Sequence, residues 1–456
     1  MFSRLIAIAL ILSAARAADL PFVLRAGAAR ADITPEVAVL NWVTGKPYGV
    51  VLDPLNVHAL VLDDGRTKAV ILRWDLVDVS ESARDAVRKV VAGALAMPGE
   101  NILINASHNH SAPWSPVYGD NQRGAERDTW WALRYMPAQN EFPPFRRWME
   151  KLLAASVDAA QRAAATARPV SLSIGRVAVG EYLYNRRPRA PAWGVVDAKS
   201  ALTTPGGSPE WNPEVLQGGA RFGPLDRTLA IVSLRDTEKN PVASLFHVAC
   251  HSVSIYPGNP AISADWPGPA ARTISAALGG ESLFLQGCCG DINPWQRGEA
   301  AVATMAAGLA TKAQLAVRYG VTLATAPLQV GQTSLDLPLT PEGKKRLRVE
   351  NVRAEIQVIA CGPLAIVGLP GETMTELGMA IREQSPFPQT LVLGYTNGNG
   401  VHYVGMPGEK VRGGYEVGVA GAGTDECGAL LVKAAQQLLL DVFAKSGYRT
   451  KASVKP

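Results

Sequence analysis

Apolar and polar positions along this chain follow two periods that alternate from one end to the other. Residues 59–62 and 69–72 are short apolar runs on either side of Asp63-Asp64-Gly65, the pattern of two strands joined by a tight turn. From Ser82, a residue suited to capping, the spacing predicts a helix to about Met97, stopped by Pro98-Gly99. Residues 101–105 read as a short buried strand, and 146–167 as a long alanine-rich helix closed by Pro169. Strands are expected over 229–234, 242–249 and 363–367. Helices are expected over 300–317, 372–382 and 426–445. Such alternation predicts an α/β fold with mixed β-sheets and covering helices.

Two segments, 114–145 and 188–224, keep neither period. They are rich in Gly, Pro and aromatic residues, among them Trp114, Trp130, Trp131 and Trp193. Loops of this length inside a compact domain usually serve a function, so both are expected to act as lids over a site. With no internal repeat and no dividing linker, residues 18–456 are expected to form one large catalytic domain.

Composition adds little to this and mainly excludes. A hydrophobic content of 47% and a charged content of 19% are those of an ordinary globular protein. The net charge of +5 is not gathered into a basic run that would suggest nucleic acid or an anionic membrane as partner. The N-terminus is more informative. Arg4, the apolar run 5–12 and Ala15-Arg16-Ala17 have the order of a signal peptide with its cleavage site. Residues 1–17 are therefore expected to be removed on export, to the periplasm or the medium, with no transmembrane segment left behind. The five cysteines form no disulfide framework and no CxxC pair, which removes thiolate zinc sites from consideration.

With only six histidines in the chain, each position matters. His108 and His110 follow the strand 101–105, separated by one residue. His251 follows the strand 242–249, and Glu372 stands in Leu369-Pro370-Gly371-Glu372-Thr373 between a strand and a helix. Open α/β sheets present their sites at such strand ends. Two imidazoles and a carboxylate would make a hydrolytic zinc site with a position left for water. A single histidine at a strand end is usually a hydrogen-bonded structural residue, and His247 inside the strand is read that way.

These residues lie in an ordered series of motifs. Arg30-Ala31-Asp32-Ile33-Thr34-Pro35 comes first, then Ser107-His108-Asn109-His110-Ser111-Ala112-Pro113, Asn185-Arg186, His251-Ser252 and Ser263-Ala264-Asp265. Gly290-Asp291-Ile292-Asn293-Pro294 follows, then Leu369 to Thr373, and lastly His402-Tyr403 and Tyr415-Glu416. In type and order the series resembles the catalytic part of the neutral/alkaline non-lysosomal ceramidases, over residues 26–434. The resemblance implies that His108, His251, Glu372 and Tyr403 ligate zinc. It implies that His110, Arg186 and Tyr415 surround the scissile amide and its developing oxyanion.

Two departures shape the expected chemistry. Asn293 stands where the family has its nucleophilic serine. An amide cannot act as an alkoxide, which implies attack by zinc-activated water, with the Asn293 amide donating to the oxyanion. The chain also stops soon after the tyrosine motif, so the C-terminal domain of the family is expected to be absent. The function expected is a zinc amidohydrolase acting on a linear amide such as an N-acyl lipid. A zinc esterase or lactonase, or a binding protein without turnover, are the alternatives.

Overall fold

The computed structural model describes residues 22–119, 142–189 and 221–448. The expected signal peptide and Trp130, Trp131 and Trp193 lie outside the described residues.

The hairpin expected around Asp63-Asp64-Gly65 forms, with strands Asn56–Asp63 and Lys68–Trp74 in antiparallel register from Val57↔Trp74 to Asp63↔Lys68. Its apolar runs are continuous because both faces are covered. Ala59, Val61, Val70 and Leu72 face one core cluster, while Leu60, Leu62, Ala69 and Ile71 face another. The hairpin belongs to a nine-stranded mixed sheet. Its path runs Glu281–Gln286, Pro241–Val248, Thr228–Asp236, Arg168–Ala178, Arg25–Asp32, Asn56–Asp63, Lys68–Trp74 and Ile102–Ala106, with Val321–Leu323 pairing to Arg168–Ala178. At the centre the sheet is pinched. Arg25–Asp32 and Arg168–Ala178 share only the pairs Arg25↔Pro169 and Ala26↔Arg168. The two halves fold toward each other there, which lets Glu281 of one edge strand reach His58 at 2.9 Å and Arg30 at 3.3 Å in the other half.

A second sheet, Gln329–Pro338, Asn351–Cys361, Leu364–Gly368 and Gln389–Leu393, closes the apolar space between the halves. Helices cover the outer faces. Pro143–Ala165 lies on Arg25–Asp32, and Glu299–Arg318 lies on Arg168–Ala178. Both contacts need a glycine, since a Cβ on Gly27 would stand 2.1 Å from Ala163 O, and one on Gly175 would stand 1.8 Å from Ala316 O. Glu299–Arg318 and Cys427–Lys445 are long and apolar enough by composition to cross a bilayer. Each instead buries a face on this protein's own elements, through Leu309 and Ala313 in one and Leu431 and Leu439 in the other.

Two expected boundaries are corrected. The first helix, Glu81–Leu95, is capped by Ser80, whose hydroxyl accepts from Ala83 N, while the Ser82 hydroxyl accepts from Tyr118 N. The helix expected from 372 begins at Thr375, because Glu372–Thr373 pairs in parallel with Tyr403–Val404.

Candidate metal centre

Three strand pairs are parallel: Lys68–Trp74 with Ile102–Ala106, Pro241–Val248 with Glu281–Gln286, and Leu364–Gly368 with Gln389–Leu393. His108, His251 and Glu372 each follow the C-terminal end of one of these strands. Single bridges Asn105↔Thr396, Asn109↔Ser252 and Gly287↔Leu393 draw those ends together. His108 itself is left-handed, with φ 57°, a cost for a non-glycine residue that turns its ring back toward the other strand ends.

The imidazoles are locked in matching tautomers. His108 Nδ1 donates to Val77 O at 2.8 Å, and His251 Nδ1 donates to Cys289 O at 2.7 Å. Each Nε2 lone pair is thereby left on the side of Glu372, the orientation that metal-ligating histidines take from their outer partners. Glu372 Oε2 lies 3.0 Å from His108 Nε2 and 3.4 Å from His251 Nε2. His110 Nε2 lies 3.0 Å from His108 Nε2, and a nitrogen from each of the three histidines falls within 4.8 Å of the others.

Buried polar atoms are normally satisfied. Here His251 Nε2 and Glu372 Oε2 are buried and make no hydrogen bond. Tetrahedral zinc with bonds of about 2.0–2.1 Å sets its donors roughly 3.3 Å apart. The spacing, the orphaned atoms and the nitrogen and oxygen donor set all fit that ion. Burial lowers the pKa of His110 well below the usual imidazole range and brings His251 to about 3, so both are neutral donors at neutral pH.

Beside the cluster sits Arg186. Its Nε donates to Glu416 at 2.7 Å, Nη1 to Asn293 Oδ1 at 3.2 Å, and Nη2 to both Gly290 O at 2.9 Å and the Tyr403 hydroxyl at 3.0 Å. Glu416 also accepts from Arg187 at 2.7 Å, and Arg187 is held in turn by Glu409. Glu416 opens a π-helical turn, Glu416–Ala420, of a kind often found at functional sites. Tyr415 packs edge-on to Tyr403, with ring centroids 5.7 Å apart.

The eight sequence candidates therefore divide by geometry. His108, His251 and Glu372 meet directly, and His110, expected beside the substrate amide, belongs to the same donor cluster. Tyr403 is paired with Glu372 and tied to Arg186. Asn293 is engaged at both ends of its amide, since Nδ2 also reaches the Tyr184 hydroxyl at 3.4 Å. Sequence reasoning missed Tyr395 and the aromatic wall of Trp42 and Tyr256 around His110, which look like packing residues in a sequence. Trp114, at the start of the first long segment, meets Trp42 with centroids 5.7 Å apart. The base of the second segment is closed by Pro188–Arg189 pairing with Arg221–Phe222, directly after Arg186.

No protein-family model matches the sequence, and a comparison with curated proteins finds no relative. Solved structures are more informative. The neutral ceramidase from Pseudomonas aeruginosa superposes with a TM-score of 0.71 at 16% identity, covering 95% of this chain and 76% of that one. A second ceramidase structure, described as complexed with C2, gives the same score and identity over 95% and 77%. The chain has the neutral ceramidase fold. At this identity the ceramidase likeness is one of architecture.

Proposed function

We propose that this protein is an exported zinc-dependent hydrolase that cleaves a linear amide, with an N-acyl lipid or related N-acyl compound as substrate. The observation that carries the proposal is the buried meeting of His108, His251 and Glu372 with donor atoms left unsatisfied. Further support comes from the ceramidase fold and from the cationic Arg186 directly beside the cluster. In this reading His108, His251, Glu372 and Tyr403 hold the ion, with His110 close enough to join or replace one of them. A zinc ion there would polarise a carbonyl and lower the pKa of water.

The chain's own residues have the remaining tasks. Neutral His110 is placed to take a proton from water or return it to the leaving amine. Arg186 and Tyr415 stabilise the negative charge that develops on the carbonyl oxygen. Burial would depress the guanidinium pKa of Arg186, but Tyr403 and Glu416 raise it well above its ordinary value, so the group stays charged. Asn293 cannot form an acyl-enzyme, and its amide aligns Arg186 with Tyr184.

Metal analysis of the purified protein, followed by a screen of N-acyl amides against matched esters, tests the proposal. About one zinc per chain and amide hydrolysis abolished by a chelator and restored by zinc are expected. Protein that takes up no metal, or that cleaves only esters, overturns it.

A further inference from the structure

The site contains a fully buried aromatic residue that neither the motifs nor the proposed chemistry uses. The Tyr395 ring stacks on His108, with centroids 4.1 Å apart and planes inclined by 27°. It also presents an edge to His251 at 6.4 Å. The Tyr395 hydroxyl accepts from Cys289 Sγ at 3.2 Å, and Cys289 O is the acceptor that fixes His251 Nδ1. The main chain of Tyr395 continues this pattern. Its carbonyl accepts from Ala106 N at 3.1 Å, two residues before His108, and its N–H donates to Gly371 O at 2.9 Å, next to Glu372. The residue is held at φ 50°, a left-handed conformation that a tyrosine keeps only where its surroundings over-determine it.

We propose that Tyr395 is a positioning residue that sets the His108 and His251 imidazoles relative to Glu372 and so determines how tightly the centre holds zinc. The proposal rests on the metal reading above. The Nδ1 hydrogen bond to Val77 O leaves the His108 imidazole free to rotate about that bond, and the Tyr395 ring stacked on one face removes this freedom. The link through Cys289 extends the same restraint to His251. Pre-set donors bind without first having to be ordered, and loss of such outer support typically weakens a metal site about 10–100-fold.

The test is zinc affinity by competition with a chromophoric chelator, measured on the full chain without reference to turnover. Tyr395→Phe keeps the ring and is expected to hold the dissociation constant within about threefold of the wild type. Tyr395→Leu keeps apolar volume without the ring and should weaken binding about 10–100-fold. If the leucine variant does not fold, the wild-type NMR spectrum decides. The His108 ring protons should be moved upfield by the stacked ring, and resonances at ordinary positions would overturn the proposal. Unchanged affinity in a folded leucine variant overturns the positioning role and leaves the metal reading standing. A wild-type protein that binds no zinc overturns both.

Discussion

At the residue scale the decisive position is Asn293. Its carboxamide oxygen accepts from Arg186 and its nitrogen reaches Tyr184, so it spans the site as a connector. Replacing it with alanine removes both links and shifts the Arg186 guanidinium, which only Glu416, Gly290 and Tyr403 then hold, so kcat for amide hydrolysis should fall up to about 10²-fold, the scale of a catalytic group misplaced by an ångström. Pre-steady-state traces of the wild-type enzyme should have no acyl burst, because no side-chain nucleophile occupies this position. Turnover undiminished in Asn293→Ala would reduce the residue to a turn former. Single-residue chemistry was the part of the site most legible in the sequence. Histidines are few and their polarity is conspicuous, so His108, His110 and His251 stood out. Tyr395 did not, because an aromatic residue after a strand is ordinarily core, and only its stacking on His108 gives it a role.

At the element scale, legibility followed the strength of the apolar period. Helices Pro143–Ala165 and Cys427–Lys445 and the hairpin strands were readable because their buried faces are regular. Arg25–Asp32, with the sequence Arg-Ala-Gly-Ala-Ala-Arg-Ala-Asp, has no strand signature of its own. It becomes a strand because Asn56–Asp63 pairs along its whole length, and sheet context overrides propensity. Pro267–Leu278 opens with Pro-Gly-Pro, which reads as a turn until the first proline is seen at the start of a helix. What no pattern announces is how closely two elements approach, and glycines control this. Gly175→Ala would drive a Cβ to 1.8 Å from Ala316 O and push Glu299–Arg318 off its sheet. Unfolding by denaturant should show a loss of about 1–3 kcal/mol or more. In Gly93→Ala, within Glu81–Leu95, a Cβ meets nothing within 4 Å. That change should add about 0.5–1 kcal/mol through helix propensity alone. Equal effects from the two substitutions would refute the close-packing argument.

At the scale of the whole molecule, ionisable groups buried away from the metal cluster make stability depend on pH in a way a surface-charge count would miss. Asp265 is buried, and burial raises its carboxyl from an ordinary 3.8 to about 6, although Ser254, Ile255 and Trp266 donate backbone N–H groups to it and Arg297 also opposes the shift. The sign follows from proton counts. Between about pH 4 and 6 the folded protein keeps the Asp265 proton that the unfolded chain has released, so stability from this group is complete below about pH 4. It is lost as pH rises through 6. The buried His58 and His247 act oppositely. Burial lowers both, so they remain neutral in the fold while the unfolded chain takes up protons below its ordinary 6.5, and stability falls as pH drops through that value. The wild-type profile sums these slopes, and the Asp265 part is isolated by Asp265→Asn. The variant starts from lower stability, because its amide cannot accept all three backbone N–H groups. Across about pH 4.5–5.5, however, its unfolding free energy should climb faster than the wild type's by up to about 1.4 kcal/mol per pH unit, the value of one proton. Denaturant unfolding at half-unit pH steps measures the difference, and parallel profiles would show that Asp265 is ionised in the folded protein throughout.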